Sequence, residues 1–97
     1  MIYLQVILTV KDDADVATVG ELLEEQARRS REEPGCVRFE VYQSREDPRV
    51  YILSERWESQ EDLDRHREAA AFTELYVPRV IPLVDRTPHP SNLISGE

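Results

Sequence analysis

At 97 residues the chain has room for one domain, and a domain of that size buries only about 60 to 65% of the surface its unfolded form exposes, so association with a second copy would strengthen a thin core. Its 20 acidic against 12 basic side chains leave a net charge of −8, which repels phosphate backbones and anionic headgroups and excludes nucleic acid and membrane surfaces as expected partners. There is no run of roughly 18 apolar residues and no basic leader, which points to the cytoplasm.

From Ile2 to Val10 apolar residues alternate with a period of two, so a strand is expected with Leu4, Val6, Leu8 and Val10 on one face and Tyr3, Gln5, Ile7 and Thr9 on the other. Asp12, Asp13 and Asp15 offer caps and favourable charge at a helix start, and Val16, Val19, Leu23 and Ala27 recur at helical spacing. That helix is expected to run to Ser30 or Glu33, where Pro34-Gly35 cannot continue it. A second strand from Cys36 to Ser44 carries Val37, Phe39 and Val41 on one face and Arg38, Glu40 and Tyr42 on the other. The polar run Ser44 to Pro48 is the turn into a third strand, Arg49 to Glu58.

On that third strand Tyr51, Leu53, Glu55 and Trp57 share a side, and they are expected with Tyr3 and Ile7 on the sheet face opposite the fully apolar one. Ser59-Gln60-Glu61-Asp62 has capping-box spacing, so a second helix starts there with Leu63, His66 and Ala70 on one face. Phe72, Leu75, Tyr76 and Val80 continue at helical spacing, with Pro78 expected to bend or restart the helix and Pro82 to end it. Leu83 to Thr87 makes a short last strand, and Pro88 to Asn92 reads as turns. The order β-α-β-β-α-β is the ferredoxin-like split arrangement, an α+β fold with a four-stranded antiparallel sheet. The domain is expected over residues 1–88, with 89–97 as a C-terminal tail. An outer face carrying Tyr3, Ile7, Tyr51, Leu53 and Trp57 would have to be covered, and a second copy would cover it.

Chemistry has few places to reside. A single cysteine beside two histidines cannot build a four-ligand zinc site, and Cys36 reads as a small apolar strand residue. No phosphate-cradling glycine loop, dinucleotide fingerprint or His-Glu-x-x-His is present, so no nucleotide cofactor or metal is expected. Trp57 closes a strand just before a helix, where it either walls a space between sheet and helices or simply packs. His66 points inward on its helix, where one hydrogen bond would satisfy it, or where an imidazole beside an apolar cavity would move protons near neutral pH. Arg38, Glu40, Glu55 and Arg56 read first as cross-strand ion pairs, and otherwise as the lining of a polar mouth. Tyr42, Tyr51 and Tyr76 supply phenols that reach a cavity or a rim.

Glu33-Pro34-Gly35-Cys36-Val37-Arg38-Phe39-Glu40-Val41, the turn Glu46-Asp47-Pro48, and Glu55-Arg56-Trp57-Glu58-Ser59 with Leu63, His66 and Phe72 follow one another at characteristic spacing. In this the chain, from Leu4 to Leu83, resembles the antibiotic biosynthesis monooxygenase family, whose domain is also described as the dimeric α/β barrel. The resemblance implies a homodimer with facing sheets and, in each subunit, a pocket between sheet and helices. It also implies oxidation of a quinol or polyphenolic small molecule by dioxygen without flavin, haem or metal. On matching positions Trp57 would be the pocket aromatic and His66 the proton acceptor or donor, the two catalytic candidates. Tyr76 and Arg38 would hold an oxygen anion, and Phe72 and Leu53 would line the aromatic substrate, Leu53 standing where quinone-forming members carry a polar residue. Haem-degrading relatives bind iron through a histidine where this chain has Tyr76 and carry a tryptophan near His66, so the resemblance does not extend to haem. Two alternatives remain beside the monooxygenase: a non-oxidative isomerase in which His66 moves a proton, and a non-catalytic dimeric ligand-binding module.

Overall fold

The computed structural model describes residues 1–96. Strands β1 (Ile2–Val10), β2 (Cys36–Gln43), β3 (Val50–Trp57) and β4 (Val84–Ser91) form one antiparallel sheet in the order β2-β3-β1-β4. Helix α1 (Val16–Ser30), the short α2 (Gln60–His66) and a π-helical segment (Ala71–Val80) lie on one side of it. This is the expected split β-α-β-β-α-β order. Among the described residues no helix is long and apolar enough to cross a membrane.

The local causes are those of the sequence. Asp12 accepts from the Ala14 amide and starts a single 3-10 turn ahead of α1, whose Val19, Leu22, Leu23 and Ala27 are buried. Ser59 caps α2, its hydroxyl accepting from the Asp62 amide and donating to the Asp62 carboxylate. Gly35 has φ +80°, and a β-carbon there would lie 2.1 Å from Asp62 Cγ, so only glycine lets the α1–β2 loop pass this close to α2.

Register overturns one expectation. Tyr51, Leu53, Glu55 and Trp57 pair with Leu8, Val6, Leu4 and Ile2, so they sit on the helix-covered face, not the open one. Directly paired residues share a face, and this register sets the parity of β3 that the strand pattern alone left free. The open face instead carries Tyr3, Ile7, Val50, Ile52 and Tyr42, with Ile7 and Tyr42 exposed. A register shift between Cys36 and Arg38 adds a residue to β2 and leaves Val37 exposed, where inward alternation with Phe39 was expected.

The last strand is also longer than expected. β4 continues through Pro88, His89 and Pro90 to Ser91, pairing along β1 as far as Tyr3. Prolines are tolerated there because β4 is an edge strand, and two prolines two residues apart can both turn their missing donors away from β1. After His66 the chain re-forms as a π-helix with Pro78 inside it, where a bend was expected. The wider turn accommodates the ring, and the missing Pro78 donor is the one that would meet the Thr73 carbonyl.

Candidate functional site

β3 delivers Leu53, Glu55 and Trp57 in succession to the covered face, and α2 ends by placing His66 over the last of them. The His66 and Trp57 rings stand 4.6 Å apart at 34°, with Phe39 of β2 at 5.7 Å and Phe72 of the π-helical segment at 5.5 Å from the imidazole. Tyr76, one helical turn on, lies 5.4 Å from Phe72. His66 is 3% exposed and Trp57 fully buried, so the aromatic rings enclose the imidazole.

Inside this apolar shell His66, Glu55 and Tyr76 each have a hydrogen-bond partner. Glu33, from the loop after α1, places Oε1 2.7 Å from His66 Nδ1. A carboxylate only accepts, so the proton lies on Nδ1 and the lone pair on Nε2. Burial lowers the His66 pKa, and the Glu33 contact opposes that without reversing it, so the imidazole is neutral at pH 7. On the other side of Trp57 the indole N–H donates to Glu55 Oε1 at 3.0 Å. Burial raises the Glu55 pKa from 4.5 to about 7, against the indole hydrogen bond and the charges of Arg86 and Arg67, which favour the anion. Arg86, on the covered face of β4, donates from Nε to the Tyr76 hydroxyl at 2.9 Å. Burial also raises the Tyr76 pKa, which keeps the phenol protonated.

The structure therefore gathers Trp57, His66, Phe72 and Tyr76, and seats Leu53 on the same face two residues before Glu55. It does not bring Arg38 to them. Arg38 lies on the open face, 3.5 Å from Glu40 in an exposed ion pair along its own strand. Among the described residues Glu55 and Arg56 do not form the expected cross-strand ion pairs, for the same parity reason: Glu55 faces the core, while Arg56 lies over the Tyr3 ring at 4.7 Å. The sequence gives no sign of Glu33 or Arg86 as site residues and offers Glu55 only as an ion-pair or polar-mouth residue. The alternation of β3 placed Glu55 beside Trp57, but the surrounding core appears only with register.

Trp57 and His66 line neither of two clefts. One, of about 720 Å³, opens at the sheet end where Ile2 pairs with Trp57, between Tyr3, Gln60, Pro90 and Leu93. The other, of about 270 Å³, lies between α1 and the β2–β3 hairpin around Arg31, Gln43 and Tyr51. Cys36 is half-buried with its thiol pushed up to about 11, chiefly by burial, which makes it a poor nucleophile. Among the described residues no cluster of three or more His, Cys, Asp or Glu side chains is placed to hold a metal.

The family model described as antibiotic biosynthesis monooxygenase matches residues 1–76. A crystal structure of an antibiotic biosynthesis monooxygenase superimposes with a TM-score of 0.88 at 23% identity, covering 98% of this chain and 100% of that one. A conserved protein of unknown function from Bacteroides thetaiotaomicron superimposes at 0.86 with 24% identity, covering 93% and 94%. SnoaB, a cofactor-independent oxygenase from Streptomyces nogalater, does so at 0.84 with 15% identity, covering 98% and 94%. No curated protein matches the sequence.

Proposed function

The chain belongs to the antibiotic biosynthesis monooxygenase family, and from that premise we propose that it is a cofactor-independent monooxygenase acting on a quinol or polyphenolic small molecule. The observation that carries the reading is an imidazole enclosed by aromatic rings, its Nδ1 held by Glu33 and its Nε2 left as a base. Dioxygen is a triplet and reacts slowly with closed-shell molecules, so the substrate must first become an electron-rich anion. His66 takes the proton that makes it one. Trp57 and Phe72 supply the flat apolar surfaces an aromatic substrate stacks on. Tyr76, its oxygen engaged by Arg86, has a hydroxyl proton to give to the substrate oxygen anion, so Arg86 takes the supporting position that Arg38 cannot occupy. Because Phe72 and Tyr76 close the ring cluster, substrate entry requires their segment to swing away from His66.

We infer that the open face of the sheet, where Ile7, Ile52 and Tyr42 lie side by side, pairs with that of a second copy. A small apolar domain surface of this kind supports a homodimer.

Oxygen uptake over a panel of hydroquinones and polycyclic phenols tests the activity, and His66→Ala is expected to lower it by about 10²-fold or more. An unchanged rate in that variant removes His66 from the base role, and turnover under anaerobic conditions points to the isomerase instead. The full burial of Trp57 and Phe39 favours a second reading, in which the cluster is packing and the domain is a non-catalytic module. Absence of turnover across the panel under both atmospheres supports that one.

A further inference from the structure

Glu55 has no place in the base step, yet it is the polar residue most out of keeping with its surroundings. It lies on the covered face of a central strand, 5% exposed, directly between Leu4 of β1 and Phe39 of β2. A carboxyl in such a position is costly unless its charge is paired or removed, and the partner given to it is the neutral N–H of Trp57. Trp57 in turn stacks on His66, so the indole separates two acid–base groups, one on its N–H edge and one on its ring face.

We propose that Glu55 is a second catalytic residue of the oxygenase site, a carboxylic acid that protonates the peroxide formed when dioxygen adds to the substrate anion. The role rests on the monooxygenase reading. The chemistry calls for two groups because each turnover moves two protons off the substrate carbon and two onto oxygen. For a CH₂ carbon flanked by aromatic rings, His66 first removes one C–H proton and the carbanion adds to dioxygen through a new C–O bond. Glu55 gives its proton to the distal oxygen of the resulting peroxide anion. The Glu55 carboxylate then takes the second C–H proton, the C–H electron pair forms the C=O bond, and the O–O bond breaks. The departing hydroxide takes the proton held by His66 and leaves as water. Carbon has lost four electrons to dioxygen, one oxygen atom is in the ketone and one in water. Both residues are back in their starting states, Glu55 neutral and His66 neutral.

The starting states fit the charges around each group. Facing Glu55 are Arg86 from β4 and Arg67 from the turn after α2, which favour its anion. Glu33 from the loop after α1 disfavours it, and burial disfavours it most. Tyr76 of the π-helical segment and Cys36 of β2 are neutral at pH 7, because burial raises both. The balance leaves Glu55 titrating at about 7 while His66, lowered by burial, has already lost its proton. The pair thus presents an acid and a base together.

The test combines kinetics on the wild type and Glu55→Gln with two probes that need no substrate. Glutamine keeps an acceptor for the indole N–H but cannot donate a carboxyl proton. With a polycyclic phenol that carries such a CH₂ and that the wild type oxidises, kcat/KM is expected to rise as His66 deprotonates and fall as Glu55 ionises. Glu55→Gln should lose about 10²-fold and lack the alkaline limb. Trp57 is the only tryptophan, so its fluorescence should show a transition near neutral pH in the wild type and not in Glu55→Gln. Carbon NMR of the glutamate carboxyls in the wild type should show one carboxyl titrating in that range, which holds the test open even if the variant misfolds. A variant with full activity and an intact alkaline limb overturns the acid role while leaving the oxygenase reading standing. A wild type with no oxygen uptake, or with every glutamate ionised by pH 6, overturns it as well, the first by removing the reaction and the second by removing the acid.

Discussion

Glu55 gives the clearest consequence at the scale of one residue, because its environment links stability to pH. In the unfolded chain its carboxyl titrates near 4.5 and in the fold at about 7. The folded state therefore binds the extra proton between those values, and its contribution is fully present below 4.5 and lost as pH rises through 7, by up to about 3 kcal/mol. His66 acts in the opposite sense: with a folded pKa below 6.5, protonating it in acid costs stability. Glu55→Gln should accordingly be more stable than the wild type at pH 8.5 and close to it at pH 4.5, as read from urea midpoints. A penalty of equal size at both values would show that the carboxylate is not buried as a charge. Legibility differs among the site residues for physical reasons. Trp57 and His66 announce themselves by residue type and by their places at a strand end and on an inward helix face. Glu33 is one acid among many, and nothing in its own segment says that a loop folds it onto a residue 33 positions away. Arg86 lies in a strand whose facing residue, Leu8, is fixed only by β1 pairing.

At the scale of the elements, the site depends on how closely the loop after α1 approaches α2. Gly35 is the point of contact: its φ of +80° and the crowding of Asp62 both forbid a side chain. Gly35→Ala must push Asp62 away, loosening the Ser59 cap that this residue completes. Glu33 lies two residues before the glycine and His66 four after Asp62, so the same displacement pulls on the Glu33–His66 hydrogen bond. A loss of about 1 to 3 kcal/mol is expected, read as a fall in Tm of at least about 5 °C, with the pH dependence of kcat/KM shifting as the imidazole loses its partner. A melting point within a degree of the wild type would mean that the loop relaxes without using the contact. The stops and caps here, Pro34-Gly35 and Ser59, act within a few residues and were readable from the chain. The parity of β3 was not, since alternating residues define two faces without saying which is covered, and the choice belongs to pairing with β1. The π-helical geometry of Ala71–Val80 was equally hidden, because Phe72, Leu75, Tyr76 and Val80 also satisfy an α-helical spacing.

For the whole molecule, shape supports the expected homodimer more firmly than composition did. The principal extents are 36 × 31 × 18 Å, and the shortest matches one sheet carrying one layer of helices, so the second face of the sheet has no cover among the described residues. The parity of β3 turns Tyr51, Leu53 and Trp57 away from that face, yet it leaves an apolar row running across the strands, Tyr42 beside Ile52 and Ile52 beside Ile7. Around the row stand Gln5, Glu40, Ser54 and Arg56, a polar frame that would set the register of two facing sheets. Two copies each carrying −8 repel, so association must come from the apolar row and should strengthen as salt screens the charge. Light scattering at micromolar concentration is expected to give twice the chain mass, with the dimer fraction rising between low and physiological ionic strength. Ile52→Glu puts a carboxylate at the centre of the row and should yield monomers with a lower melting temperature, because the thin core then stands alone. A wild type that remains monomeric in this range would leave the row as bare surface and remove the two-sheet assembly, whereas dimers that survive Ile52→Glu would place the contact elsewhere on the chain.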